Sequence, residues 1–238
     1  MSVIQYVRRY LRRKCNPVEL LGQLCGSRAV FRSMIHVGAH EGQERDFYEE
    51  QGYRDVVWIE GSPTVYARLA ENIAEQNRKH EKSPHPARHR AVCALLTDRD
   101  DDEVELLEFC NQGGSSSIFA STENCHKRWP DVFETGRTEK LRTQTLDRLA
   151  SDMGMPNPDV LVVDVQGAEL LVLRGAEQVL SQCKAVVSEI STVPYYDGGA
   201  LYPEVLEFLA AHGFVPMMMP RRHGDLLFLR RELAERAA

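Results

Sequence analysis

Two carboxylates stand at the ends of short, otherwise apolar runs. Asp164 follows Val160-Leu161-Val162-Val163, and Glu189 follows Ala185-Val186-Val187-Ser188. In an open parallel sheet, ligands sit outside the carboxyl ends of the strands, and an acid placed there needs hydrogen bonds, a cation or a substrate to offset its desolvation. As neighbours, the two can position a hydroxyl and accept its proton, with a divalent metal held through oxygen ligands as the alternative. The plainer role for Asp164 is to cap a helix beginning near Gln166. Gln166 and Glu169, on the turn and first helical turn that follow, are placed to contact substrate or simply to finish the helix end. No Ser-His-Asp elbow or reactive-cysteine motif accompanies them, so the chemistry these residues suit needs no nucleophilic side chain.

A second constellation lies upstream. Met34 to Val37 runs into Gly38-Ala39-His40-Glu41-Gly42, and Glu60 closes the next apolar run, 22 residues after Gly38. Glycines at such a point let a parallel strand turn sharply into a helix whose first amides face a ligand. A carboxylate at Glu60 can accept hydrogen bonds from both hydroxyls of a ribose. A dinucleotide fingerprint, G-x-G-x-x-G, needs its second glycine so that backbone can approach a pyrophosphate, and that position is His40. S-adenosylmethionine has a ribose and no phosphate, so the looser turn suffices for it. The expected cofactor-binding set is Gly38, His40, Gly42, Glu60, Ser62 and, from the third strand, Val92. Ser116, Gln166 and Glu169 form the expected substrate-binding set, with Asp164 and Glu189 catalytic. Structural roles compete at several of these positions: a tight turn for the glycines, an N-cap for Ser62 and a flexible loop for Ser115-Ser116-Ser117. His36, inside a strand, reads as packed core.

The elements that must hold these residues alternate between short β-branched runs and helical patterns, the signature of a parallel sheet covered on both faces. Ser62-Pro63 opens a helix with Val65, Leu69 and Ile73 on one face, ending near the prolines at 84 and 86. Arg90 to Leu96 is a third strand and Glu103 to Phe109 an added hairpin-like one. An irregular stretch from Asn111 to Thr138 precedes a strand at Lys140 to Thr145, and so long a loop in a compact domain is usually functional or mobile. One helix carries Leu170, Leu173, Ala176 and Leu180, another spans Tyr202 to His212, and Phe214 to Met219 with Asp225 to Arg230 close the sheet as a strand pair.

At 238 residues, with 43% hydrophobic and 27% charged content, the chain suits a single globular α/β domain, expected over residues 31–238 after a helical basic extension over 1–30. The net charge of −6 argues against nucleic acid as a partner. Arg8, Arg9, Arg12, Arg13 and Lys14 nevertheless give the first 14 residues +5, leaving −11 for the remainder. Val3, Ile4, Val7, Tyr10 and Leu11 recur there at helical spacing, which predicts an amphipathic helix. It can pack on the enzyme body or on a second subunit of a homo-oligomer, or make peripheral contact with an anionic membrane through residues 1–14; packing is favoured because stable anchoring usually takes two signals. No membrane-spanning run or signal-peptide core is apparent, so a cytoplasmic location is expected. Six scattered cysteines show no metal spacing and read as buried thiols.

In combination and in this order, His36-Val37-Gly38-Ala39-His40-Glu41-Gly42, Trp58-Ile59-Glu60-Gly61-Ser62-Pro63, Gly113-Gly114-Ser115-Ser116-Ser117, Thr145-Leu146-Asp147 and Val163-Asp164-Val165-Gln166-Gly167-Ala168-Glu169 with Val172-Leu173-Arg174-Gly175-Ala176 resemble the FkbM-type methyltransferases over roughly residues 33–230. His40 stands where that family commonly has asparagine. The resemblance implies a class I methyltransferase fold, a seven-stranded Rossmann-like sheet with one antiparallel strand. It also implies transfer of a methyl group from S-adenosylmethionine to a hydroxyl of a sugar, glycan or polyketide-like metabolite. A nicotinamide-dependent dehydrogenase would share the strand-turn-acid pattern but lacks its glycines here, and a non-catalytic cofactor-binding module would leave Asp164 and Glu189 dispensable.

Overall fold

A computed structural model describes residues 16–26, 30–81, 86–155 and 157–237 of the chain. The basic segment at 1–14, with its expected helix, and Cys15 lie outside them. The inner strands of the central sheet are largely buried on both faces, so they read as near-continuous apolar runs instead of alternating ones. In β1 (Ser33–Val37), Met34 faces one core and Ile35 and Val37 the other. The same division holds for β2 (Asp55–Glu60), where Val56 and Trp58 oppose Val57 and Ile59. Each fully buried aliphatic or aromatic side chain contributes about 1.5–3 kcal/mol. Trp58 is fully buried and spends its indole N–H on His89 Nδ1 at 2.9 Å, which removes the cost of burying that donor.

Helix α1 (Pro17–Cys25) is capped by Asn16 and buries Val18, Leu20, Leu21 and Leu24 in the second core. A short α2 (Arg45–Glu50) follows the turn after β1. Helix α3 (Pro63–His80) starts at Ser62, whose Oγ accepts the Val65 amide, with proline at its first position as expected. The expected third strand divides. β3 (Arg88–Cys93) pairs with β2, then the chain bends at Ala94, whose amide goes to Glu60 O, and β4 (Leu95–Leu96) leaves for a second sheet. That sheet is completed by β5 (Glu103–Phe109) and β6 (Glu134–Gln144), in the order β4-β6-β5. The intervening stretch contains α4 (Glu123–Arg128) and is held by a small core of Phe109, Cys125, Tyr195 and Tyr196.

After α5 (Leu146–Asp152) come β7 (Val160–Val163), α6 (Glu169–Arg174), α7 (Glu177–Gln182), β8 (Ala185–Ser191), α8 (Tyr202–Ala211), β9 (Phe214–Pro216), β10 (His223–Arg230) and α9 (Arg231–Ala237). The single helix expected over Leu170 to Leu180 is broken at Gly175, where a Cβ would lie 2.1 Å from Thr97 O, and α7 is capped from a distance by Asp147, which accepts the amides of Gln178 and Val179 at 2.8 and 2.9 Å. The large sheet has the order β3-β2-β1-β7-β8-β10-β9, parallel except for β10, as the resemblance implied. Cys25, Cys125 and Cys183 are buried, but Cys93 and Cys110 are exposed, against the expectation for both.

Just beyond their carboxyl ends, β1 and β7 run into a tight backbone contact. A Cβ added to Gly38 would fall 1.6 Å from the carbonyl oxygen of Asp164. Gly42 has a left-handed φ of 69° as well, yet its imagined Cβ meets only side-chain tips, Leu69 Cδ1 at 3.0 Å and Ile73 Cδ1 at 3.4 Å. Gly42→Ala should therefore cost about the 1–2 kcal/mol of a left-handed alanine, whereas Gly38→Ala should cost clearly more because backbone must move. Thermal melts of the two variants test this, and equal losses would contradict the ranking.

Candidate active site

At the carboxyl ends of β1, β2 and β7 the chain encloses a cleft. Gly38 and His40 come from the turn after β1, Glu60 from the end of β2, Asp164 and Gln166 from the turn after β7, and Gly114 and Ser116 from the loop following β5. Gly38 at φ 78° and His40 at φ 47° bend the chain so that the His40 amide points at Glu60 Oε2, 2.9 Å away. Glu60 Oε1 accepts the Ser62 amide at 2.8 Å. Burial raises the Glu60 carboxyl above its ordinary range, and these amides oppose the shift. One acceptor direction on each oxygen is thus used by the protein, leaving the others for a ligand.

The His40 ring ties the turn to the glycine-serine loop: Gln43 Nε2 lies 2.6 Å from Nδ1, and Nε2 faces Gln112 O at 3.2 Å. Since the amide of Gln43 donates, the ring carries its proton on Nε2 and donates it to the carbonyl. Gly42, Ser62 and Val92 are not on this cleft. Gly42 is covered by α3, Ser62 is occupied as the N-cap, and Val92 belongs to the core because the strand bends two residues later; Ala94, Leu95 and Leu96 line the cleft instead. His36 is buried and hydrogen-bonded to Tyr48 Oη at 3.2 Å, with burial lowering its pKa to about 4, so it is a neutral core residue.

Beyond β7 the acids form one hydrogen-bonded group. Gln166 Nε2 donates to Asp164 Oδ1 at 2.6 Å and to Glu189 Oε2 at 3.0 Å, and Gln166 Oε1 accepts from Tyr196 Oη at 2.7 Å. Gln166 holds a left-handed φ of 55°, fixed from behind by Ser117, whose Oγ donates to its carbonyl at 2.7 Å. Asp164 does not cap a helix: α6 begins at Glu169, after an N-cap without a side-chain bond. Burial pushes the Asp164 and Glu189 carboxyls well above the usual range; Glu189 adds to the shift of Asp164, and Glu169 and Asp225 act on both. Glu169, expected to bind substrate, lines neither cleft. Its carboxylate accepts the amides of Val165 and Gly167 at 3.1 Å and locks the turn.

Carboxylate oxygens of Asp164, Glu169 and Glu189 lie within 4.8 Å of one another, the spacing of a cation site. Their donors do not suit one, because Glu169 is engaged by backbone amides and the Gln166 amide nitrogen sits between the other two. A second cleft meets the first at Gly38, His40, Gly114 and Asp164, and carries Gln43, Glu44, Tyr48 and Asp225 on its far walls. Sequence reasoning missed Glu44, Tyr196, His223 and Asp225. Strand pairing brings His223 and Asp225 opposite Ser191 and Glu189, Tyr196 reaches Gln166 from the loop after β8, and Glu44 lines the second cleft from the turn before α2.

Raised carboxyl pKa values fix the sign of a stability effect. The folded state favours protonated Asp164, so this stabilisation is complete below the unfolded pKa, near 4, and is lost as pH rises through the elevated folded value. Asp164→Asn should therefore raise the melting temperature of the ligand-free protein, by more at about pH 8 than at about pH 5. A variant that melts below the parent at both pH values would refute the assignment.

The chain matches the family described as methyltransferase FkbM domain over residues 36–216. It is 28% identical over 200 residues to the 2-O-methyltransferase NoeI of Sinorhizobium fredii (strain NBRC 101917 / NGR234), covering 82% of this chain and 77% of that protein. The crystal structure of methyltransferase FkbM from Methylobacillus flagellatus KT superposes with a TM-score of 0.50 at 13% identity, covering 96% of this chain, which spans 50% of the length of that one. The sheet order, the match over most of the strands that bear the cleft, and this likeness place the chain in the FkbM methyltransferase family, with the class I fold and S-adenosylmethionine dependence that define it.

Proposed function

We propose that this protein is an O-methyltransferase that acts on a hydroxyl of a small-molecule or glycan acceptor, with Asp164 as the base. The observation that carries the reading is that the cofactor-type cleft and the second cleft meet at Asp164, a carboxyl whose burial raises its affinity for a proton. The likeness to a 2-O-methyltransferase supports oxygen as the receiving atom.

Bound S-adenosylmethionine supplies a methyl group on a sulfonium, open to in-line attack. Glu60 offers its free acceptor directions to the ribose hydroxyls, while Gly38, His40 and Ser116 shape the cleft around the ligand. The acceptor enters from the second cleft, where Gln43, Glu44 and Asp225 provide polar groups for a hydroxylated molecule. Asp164 takes the hydroxyl proton as the oxygen attacks, and Glu189, tied to it through Gln166, holds it in place. Most of the work is alignment, since a displacement of this kind needs its three reacting atoms in line. No membrane-spanning helix occurs among the described residues.

Two measurements test the reading. Glu60→Ala should weaken binding of S-adenosylhomocysteine by about 1.5–3 kcal/mol for each charge-assisted bond lost, seen by calorimetry on protein whose ligand-free melt is checked in parallel; unchanged affinity would remove Glu60 from the site. Methyl transfer from radiolabelled cofactor, screened over hydroxylated acceptors, should identify a substrate. With it, Asp164→Asn should lose about 10²- to 10⁴-fold in turnover while keeping affinity for S-adenosylhomocysteine. Full activity in that variant would refute Asp164 as base.

A further inference from the structure

On β10, His223 lies directly opposite Ser191 of β8, and its side chain reaches Glu189. Its Nε2 is 2.9 Å from Glu189 Oε1 and its Nδ1 is 2.9 Å from Ser191 Oγ. Trp129 and Tyr195 hold the ring edge-on, with centroids 4.9 and 5.3 Å away. Glu189 thus has one oxygen on His223 and the other on the Gln166 amide that also binds Asp164.

We propose that His223 is a positioning residue that keeps Glu189 from competing with Asp164 for a proton, and so leaves Asp164 free to act as the base. This rests on the role given to Asp164 above. In this arrangement Nδ1 donates its proton to Ser191 Oγ and a second proton lies between Nε2 and Oε1, so Glu189 and His223 together are neutral, either as acid and imidazole or as carboxylate and imidazolium. Burial drives both partners toward the neutral arrangement, raising the Glu189 carboxyl and lowering the His223 imidazole. Beside a neutral pair, Asp164 bears the charge alone. Without the imidazole, Glu189 would be a second carboxylate on the same amide, and two such groups hold one proton between them, which raises the pH at which Asp164 ionises. The other charges facing these groups are Asp225 on the same strand, Glu169 of α6 on its backbone amides, and Arg128 of α4, which acts on His223. None is removed by the substitutions below.

The charge can be read without an acceptor. S-adenosylmethionine carries one more positive charge, at sulfur, than S-adenosylhomocysteine, while the amino and carboxylate groups are common to both. The ratio of their dissociation constants therefore reports the carboxylate charge near the sulfur. Calorimetry from about pH 5.5 to about pH 8.5 should show the preference for the sulfonium growing with pH as Asp164 ionises. In His223→Phe the inflection should move upward by about one unit, roughly a fivefold loss of the preference at the parent midpoint. Adding Glu189→Gln should bring the curve back, because the competing carboxylate is gone. If His223→Phe does not fold, His223→Gln, which keeps a hydrogen bond but cannot take up a proton, should show the same shift. A His223 curve that overlies the parent, or a double variant that stays shifted, would overturn the proposal while leaving Asp164 as base. An inflection that persists in Asp164→Asn would overturn the role of Asp164 and this proposal with it.

Discussion

The site depends on one backbone contact. Where β1 and β7 end, the space above Gly38 is filled by the carbonyl of Asp164, so the two chains run closer together than any side chain on residue 38 would permit. The contact does more than pack two strands. It brings the turn that holds Glu60, through the His40 amide, against the turn that carries Asp164 and Gln166. Both clefts take Gly38 and Asp164 as a common wall for this reason. The glycine often credited to ligand approach is here required by the neighbouring strand.

Keeping Asp164, Glu169 and Glu189 close together and largely out of water, beside the more exposed Asp225, opposes folding, and the upward shifts of all four carboxyls express that cost. The chain offsets it with neutral donors. Glu169 is satisfied by backbone amides, Glu189 by Gln166 and His223, and Asp164 by Gln166 alone among the donors in the hydrogen-bond network described. Of the three acids held by hydrogen bonds, Asp164 is the least compensated and the one at the junction of the clefts, which is where a cationic sulfonium would complete the balance. Gln166 pays for its central position with a left-handed backbone, a conformation that persists only where surroundings over-determine it. Ser117 on its carbonyl and Tyr196 on its side chain do so.

Much of this was legible in the sequence because it depends on local chemistry. The spacing from Gly38 to Glu60 encodes a turn and a strand, and an acid closing an apolar run is conspicuous at Asp164 and Glu189. Sheet order followed from resemblance, not from any pattern of apolar residues. What sequence could not resolve depends on distant neighbours. Gly42 and Ser62 look like ligand residues but are taken up by α3, Val92 falls short of the cleft because the chain bends at Ala94, and Glu169 is consumed by its own turn. Asp147 belongs to a motif whose use appears only when α7 is set beside it. His223 gave no signal at all, being one polar residue on a closing strand until β10 is paired with β8.

The two halves of the site rest on different supports. The cofactor-type half is fixed by β1, β2 and the main core, whereas the orientation of Gln166 and His223 is set by residues that pack in or against the small core of Phe109, Cys125, Tyr195 and Tyr196. That core draws α4 and the segment around residues 193–196 together, aided by the Thr122 amide on Tyr195 O and the bridge between Ser121 and Tyr196. Trp129, next to α4, packs on both Tyr195 and His223. A change of side chain in this satellite layer would therefore reach the acids through Tyr196 and His223 without touching Glu60 or the strands beneath it. The long stretch between β5 and β6 thus carries both Gly114 and Ser116 of the cofactor-type cleft and the small core that supports Gln166 and His223.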